Sequence, residues 1–91
     1  MPHTPKEKKR ALTRVRRIKG QVTALETLLE EGSECADVLQ QIAAVRGAIN
    51  GLMRQVLEAH LRETLGTGQL NADERHEALQ EMSDFIKAYL K

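Results

Sequence analysis

Aromatic side chains are nearly missing from this chain: one Phe, one Tyr and no Trp among 91 residues. That argues against a large monomeric core and against a stacking platform for single-stranded nucleic acid. A single cysteine, Cys35, rules out an intrachain disulfide and points to a free thiol in a reducing compartment. No run approaches the roughly 18 apolar residues of a membrane span, and no apolar stretch follows the polar, basic amino terminus as a signal peptide would require. A cytoplasmic location and no membrane partner are therefore expected. P-loop, GxGxxG, HExxH and CxxC motifs are absent, as are repeats and low-complexity tracts, and no nucleophile–base–orienter set is visible. The expectation is a protein that is not an enzyme.

What is present is charge and aliphatic periodicity. Charged residues make up 30% of the chain, yet the net charge is only +1. The balance hides an asymmetry: eight of the fourteen Lys and Arg residues lie between Lys6 and Lys19, with Glu7 the one acid among them. A neutral chain with a basic end commonly engages a polyanion through that end.

The spacing predicts an all-α fold of three helices in one domain. After an arm at 1–4, Thr4-Pro5-Lys6-Glu7 reads as a helix start, with Thr4 as N-cap, Pro5 at the first helical position and Glu7 closing a capping box. The first helix spans about 5–31, with Gly32 as its left-handed stop and Leu12, Val15, Ile18, Val22, Leu25 and Leu29 directed inward. Lys6, Arg10, Arg14, Arg17 and Gln21 form a separate stripe beside that face, flanked by Lys9, Arg16 and Lys19. Almost no acid is interspersed, so i,i+4 ion pairing does not explain the stripe. Either it is a solvated surface, or its arginines fork onto phosphates and guanine edges of double-stranded DNA.

The longest element, about 34–65, carries an apolar seam at Cys35, Val38, Ile42, Val45, Ile49, Leu52, Val56 and Ala59, widened by Leu39, Ala43, Met53 and Leu57. Ser33 is its expected N-cap, which places free N–H groups and the positive end of the helix dipole at the Cys35 sulfur and favours the reactive thiolate. Gly47, Ala48 and Gly51 leave room in mid-helix for a partner backbone. Cys35 and His60 lie 25 positions apart on this helix, roughly 37 Å at 1.5 Å per residue. They cannot meet within one chain. Two copies packed antiparallel would bring Cys35 of one to His60 of the other, unless Cys35 is merely a small hydrophobe and His60 a solvated residue. A third helix at about 72–90, capped by Asn71, turns Leu79, Met82, Ile86 and Leu90 inward with Phe85 and Tyr89 alongside, while His76 reads as solvated.

These residues resemble a known family. Leu12–Val22 (LTRVRRIKGQV), Glu34-Cys35, Leu39–Met53 (LQQIAAVRGAINGLM), His60 and the closing Ala88-Tyr89-Leu90-Lys91 are similar to the small all-helical bacterial repressors of the CsoR/RcnR family, over nearly the whole chain. The resemblance implies an antiparallel four-helix-bundle dimer, paired into a homotetramer, that holds operator DNA until an effector arrives. The basic stripe and its flank supply the candidate DNA contacts, Lys9, Arg10, Arg14, Arg16 and Arg17. Members sensing copper carry a second Cys where this chain has Thr64, persulfide sensors a Cys where it has His60, and nickel or cobalt sensors another His at Thr64. The formaldehyde-sensing type (FrmR-like) begins Met-Pro, keeps the Cys and the His, and looks most similar. Removal of Met1 would leave Pro2 as a terminal secondary amine. Pro2 and a partner's Cys35 would then be the two nucleophiles for formaldehyde, with His60 and His3 supporting the thiolate. No cofactor is then required. The alternative is a nickel- or cobalt-responsive repressor in which His3, Cys35 and His60 hold the metal, with copper or zinc also conceivable for those donors.

Overall fold

A computed structural model describes residues 4–66 and 68–90 as three α-helices in a single layer. Helix α1 (Pro5–Glu30) opens as expected, with Thr4 Oγ1 accepting from the Glu7 backbone N–H at 3.1 Å and Pro5 in the first turn. The other half of the expected capping box goes elsewhere, because the Glu7 carboxylate is directed to Arg62, 3.6 Å away on the next helix. At the far end Gly32 adopts φ +68°, a conformation in which a side chain would crowd its own carbonyl. Its N–H donates to Leu29 O and that of Ser33 to Leu28 O, closing a Schellman turn over the last carbonyls.

Helix α2 (Cys35–Leu65) starts one step differently from the sequence expectation. Its N-cap is Glu34, not Ser33, and no side chain caps it. Ser33 is already committed to the Schellman turn through its backbone N–H, so Cys35 becomes the first rather than the second residue of the helix. Helix α3 (Ala72–Tyr89) carries the complete capping box: Asn71 Oδ1 accepts from Glu74 N at 2.8 Å and Glu74 returns the bond to Asn71 N at 3.2 Å.

Helices α1 and α2 run antiparallel, with Glu7 opposite Arg62, Arg14 opposite Gln55 and Gln21 opposite Gln41. Helix α3 folds back along the second half of α2, its Ala78 near Thr64 and its Leu90 near Arg54. The principal extents are 57 × 28 × 11 Å, so the slab is one helix thick. A radius of gyration of 17.3 Å compares with about 12 Å for a compact chain of this length. Only Ala59 and Met82 are buried among the described residues, and neither completely.

The helical faces are rotated relative to the sequence reading. On α1 the residues turned toward α2 are Glu7, Ala11, Arg14, Ile18, Gln21, Leu25 and Leu28, all half-buried. Leu12, Val15, Val22 and Leu29, expected inside, stand exposed beside that face. Arg14 and Gln21 therefore leave the solvent stripe to which their spacing assigned them. The α2 seam splits in two. Val38, Val45, Leu52, Val56 and Ala59 lie on the α1 side, whereas Cys35, Leu39, Ile42 and Ile49 remain exposed. Of the small residues of mid-α2, Ala48 is on the α1 side and Gly51 lies directly under the Arg14 guanidinium, while Gly47 is exposed with open space beside it. No described helix is long and apolar enough to cross a membrane.

Candidate functional site

Two surfaces of the slab collect the chemistry. The first is the uncovered strip of α2. At about 100° per residue, Cys35, Ile42, Ile49, Met53 and His60 fall within one narrow sector of the helix, with Leu39 and Leu57 at its edge. Cys35 is a free, exposed thiol at the first helical position, where the N–H groups of Cys35 and Ala36 have no helical acceptor and that of Asp37 donates to Glu34 O at 3.0 Å. His60 is half-buried near the opposite end. It lines an open apolar groove of about 520 Å³ between α2 and α3, together with Leu52, Met53, Val56, Leu57, Glu81, Phe85 and Tyr89. Phe85 and Tyr89 pack against each other there, ring centroids 6.2 Å apart. Thr64 lies one turn beyond His60, in a small pocket with Ala78 and Met82.

The two candidate sensor residues thus share a face but stand at opposite ends of a rod, as the spacing requires. Pro2 and His3, the other members proposed for the sensor, lie outside the described residues. Among the described residues of one chain, no three His, Cys, Asp or Glu side chains converge as a metal would need. Any site that joins Cys35 to His60 takes them from two chains.

The second surface is basic. Lys9, Arg10, Thr13, Arg14 and Arg17 of α1, with Gln55 of α2, line an open groove of about 290 Å³. Arg10, Arg17 and Lys9 are exposed. Arg14 is half-buried, donating from Nε to Gln55 Oε1 at 2.9 Å. Arg16 is exposed on α1 but does not line this groove. No described acid forms an ion pair with Arg10, Arg14 or Arg17; Arg62, further along the same face, pairs with Glu58 at 2.8 Å and Glu7 at 3.6 Å. A basic cluster whose arginines make no ion pair with a described acid is suited to an anion from outside.

Sequence reasoning missed Gln55 and misread Gly51. A glutamine one turn from a helical glycine has no signature of its own, because its role depends on which α1 side chain crosses above it.

Comparison with known proteins agrees with the three-helix fold. A variant of the formaldehyde-responsive regulator FrmR from Salmonella enterica serovar Typhimurium has a solved structure that superposes with a TM-score of 0.80, at 53% identity, over 97% of this chain and 99% of that one. An uncharacterised protein encoded upstream of bioA in Serratia marcescens is 52% identical over the full length of both chains. The transcriptional repressor RcnR of Citrobacter koseri is 44% identical, again over the whole of both. Residues 7–88 match the sequence model described as a metal-sensitive transcriptional repressor. With that match across nearly the whole chain and relatives similar from end to end, the chain belongs to the metal-sensitive transcriptional repressor family, a family of regulators rather than enzymes.

Proposed function

We propose that this protein is a formaldehyde-responsive transcriptional repressor acting as a homodimer paired into a homotetramer. The observation that carries the reading is the placement of Cys35 and His60 at the two ends of one uncovered strip of α2. A second copy laid antiparallel on that strip covers Leu39, Ile42 and Ile49 and turns two slabs that are each one helix thick into one two-layer four-helix bundle, built from α1 and α2 of each chain. It also sets each Cys35 beside the other chain's His60, at the end of that chain where its α1 begins. The similarity to FrmR supports the choice of effector.

The chemistry needs only two nucleophiles. The Cys35 thiolate adds to the formaldehyde carbon, and the resulting alkoxide takes a proton to give a hydroxymethyl thioether. The Pro2 amine of the partner chain then displaces the hydroxyl as water, losing its N–H proton, and leaves an S–CH2–N bridge. His60 holds the thiolate form by hydrogen bonding. The bridge ties the arm ahead of the basic helix to the neighbouring subunit, and coupling of about 1–3 kcal/mol per site is enough to release operator DNA from Lys9, Arg10, Arg14, Arg16 and Arg17.

Formaldehyde treatment is expected to add the mass of one carbon atom per closed bridge and to release a duplex carrying the chain's own upstream region. Cys35→Ala should bind that duplex as before and ignore the aldehyde. A full response by Cys35→Ala would refute the mechanism. The family description and the likeness to RcnR favour a second reading, nickel or cobalt held by His3, Cys35 and His60 between chains. Thiolate and imidazole donors suit nickel, cobalt, copper and zinc, but Thr64 supplies no imidazole at i,i+4 from His60. Cobalt titration with thiolate-to-metal absorption, coupled to loss of DNA affinity, would favour this second reading over the first.

A further inference from the structure

Arg14 is the one member of the basic cluster whose orientation is set by another helix. Its Nε–H donates to Gln55 Oε1 at 2.9 Å in a partly buried setting, and its guanidinium rests on the Cα of Gly51, where even a methyl group would overlap Nη1. Glycine in mid-helix is unfavourable for α2, so the gap has a use. A guanidinium carries five N–H donors in a rigid fork, and Gln55 occupies one of them. Arg14 also lines the open groove formed with Lys9, Arg10, Thr13 and Arg17. A flexible arginine on a bare helix must be ordered when it binds; this one is ordered beforehand.

We infer that Gln55 is a positioning residue that presents Arg14 to a phosphate of duplex DNA in this groove, with Gly51 as the floor on which the guanidinium lies. The inference rests on the reading of this face as the DNA contact. It gives α2, which also carries Cys35 and His60, a direct hold on the DNA-facing side: sliding or rotation of α2 against α1 withdraws the acceptor from Arg14.

The test measures anisotropy of a labelled duplex from the chain's own upstream region, at several salt concentrations, with four variants. Arg14→Ala is expected to weaken binding about tenfold and to lower the dependence of log affinity on log salt by about one phosphate contact. Gln55→Met, which keeps the volume and removes the acceptor, should weaken binding roughly three- to tenfold and lower the salt slope in the same way. Combining the two should lose no more than Arg14→Ala alone. Gly51→Ala should raise the melting temperature yet weaken DNA binding, two changes that a merely structural glycine would not show in opposition. If Arg14→Ala weakens binding while Gln55→Met and Gly51→Ala bind as the parent, the positioning role is wrong and the DNA face stands. Additive losses for Arg14→Ala and Gln55→Met overturn it equally. If Arg14→Ala binds as the parent, the assignment of this face to DNA fails, and the inference with it.

Discussion

Replacing Ile49 by Asp tests the assembly on which the sensor site depends. The chain exposes 6872 Å², whereas a compact monomer of 10.2 kDa exposes about 5,300 Å². The excess of about 1,500 Å² is more than the roughly 800 Å² that a standard interface takes from each partner, and fits an obligate dimer. Ile49 is 41% exposed on the uncovered strip of α2, less than one turn from the midpoint between Cys35 and His60. An antiparallel two-fold axis therefore brings the two Ile49 side chains close together. Covering the exposed part of an isoleucine is worth about 1 kcal/mol per chain, so Ile49→Ala should cost about 2 kcal/mol per dimer, near 30-fold in dissociation constant. Asp adds two desolvated, unpaired carboxylates facing one another, for a total of at least about 4 kcal/mol, or about a thousandfold. With only Ala59 and Met82 buried among the described residues of the single chain, helicity should fall together with mass. Sedimentation equilibrium and circular dichroism over a protein dilution series read both, and the parent's melting temperature should rise with concentration. If Ile49→Asp keeps the parent's mass and melts at the same temperature at every dilution, the strip is not the dimer seam and the two-chain sensor site falls with it.

Two further substitutions report on single chain-reversal and capping devices. Gly32→Ala meets no neighbouring atom, so its whole effect is the φ of +68°. A loss of about 1–2 kcal/mol in thermal or denaturant unfolding is expected, and no loss would refute the Schellman turn at that position. Asn71→Ala removes the acceptor for Glu74 N and half of a reciprocal pair, at about 1 kcal/mol. Amide exchange should quicken first in the opening turn of α3; protection unchanged there would refute the capping role.

The number, order and approximate limits of the helices were readable from the chain because their signals are local. Thr4 and Asn71 with an acid three residues on, Pro5 at N1 and a glycine at 32 act within one turn of themselves, and each does in the structure what its spacing predicts or half of it. The separation of Cys35 from His60 was equally fixed, since a helix converts residue number directly into length. Ser33 shows where local reasoning stops. A good capping residue lost the position to Glu34 because the turn closing α1 had already engaged its backbone.

By itself, then, the sequence determined an all-α chain with more apolar face than one layer of helices can cover, a basic amino-terminal helix and a thiol at a helix start. The packing of α1 on α2 decided the rest. Periodicity gives the angle between residues on one helix but not the rotation of that helix against its neighbour, and α1 carries two faces that each could dock. The one chosen turned Arg14 and Gln21 inward and left Leu12, Val15 and Val22 outside. Only that rotation places Arg14 over Gly51 and within 2.9 Å of Gln55, 41 positions away along the chain.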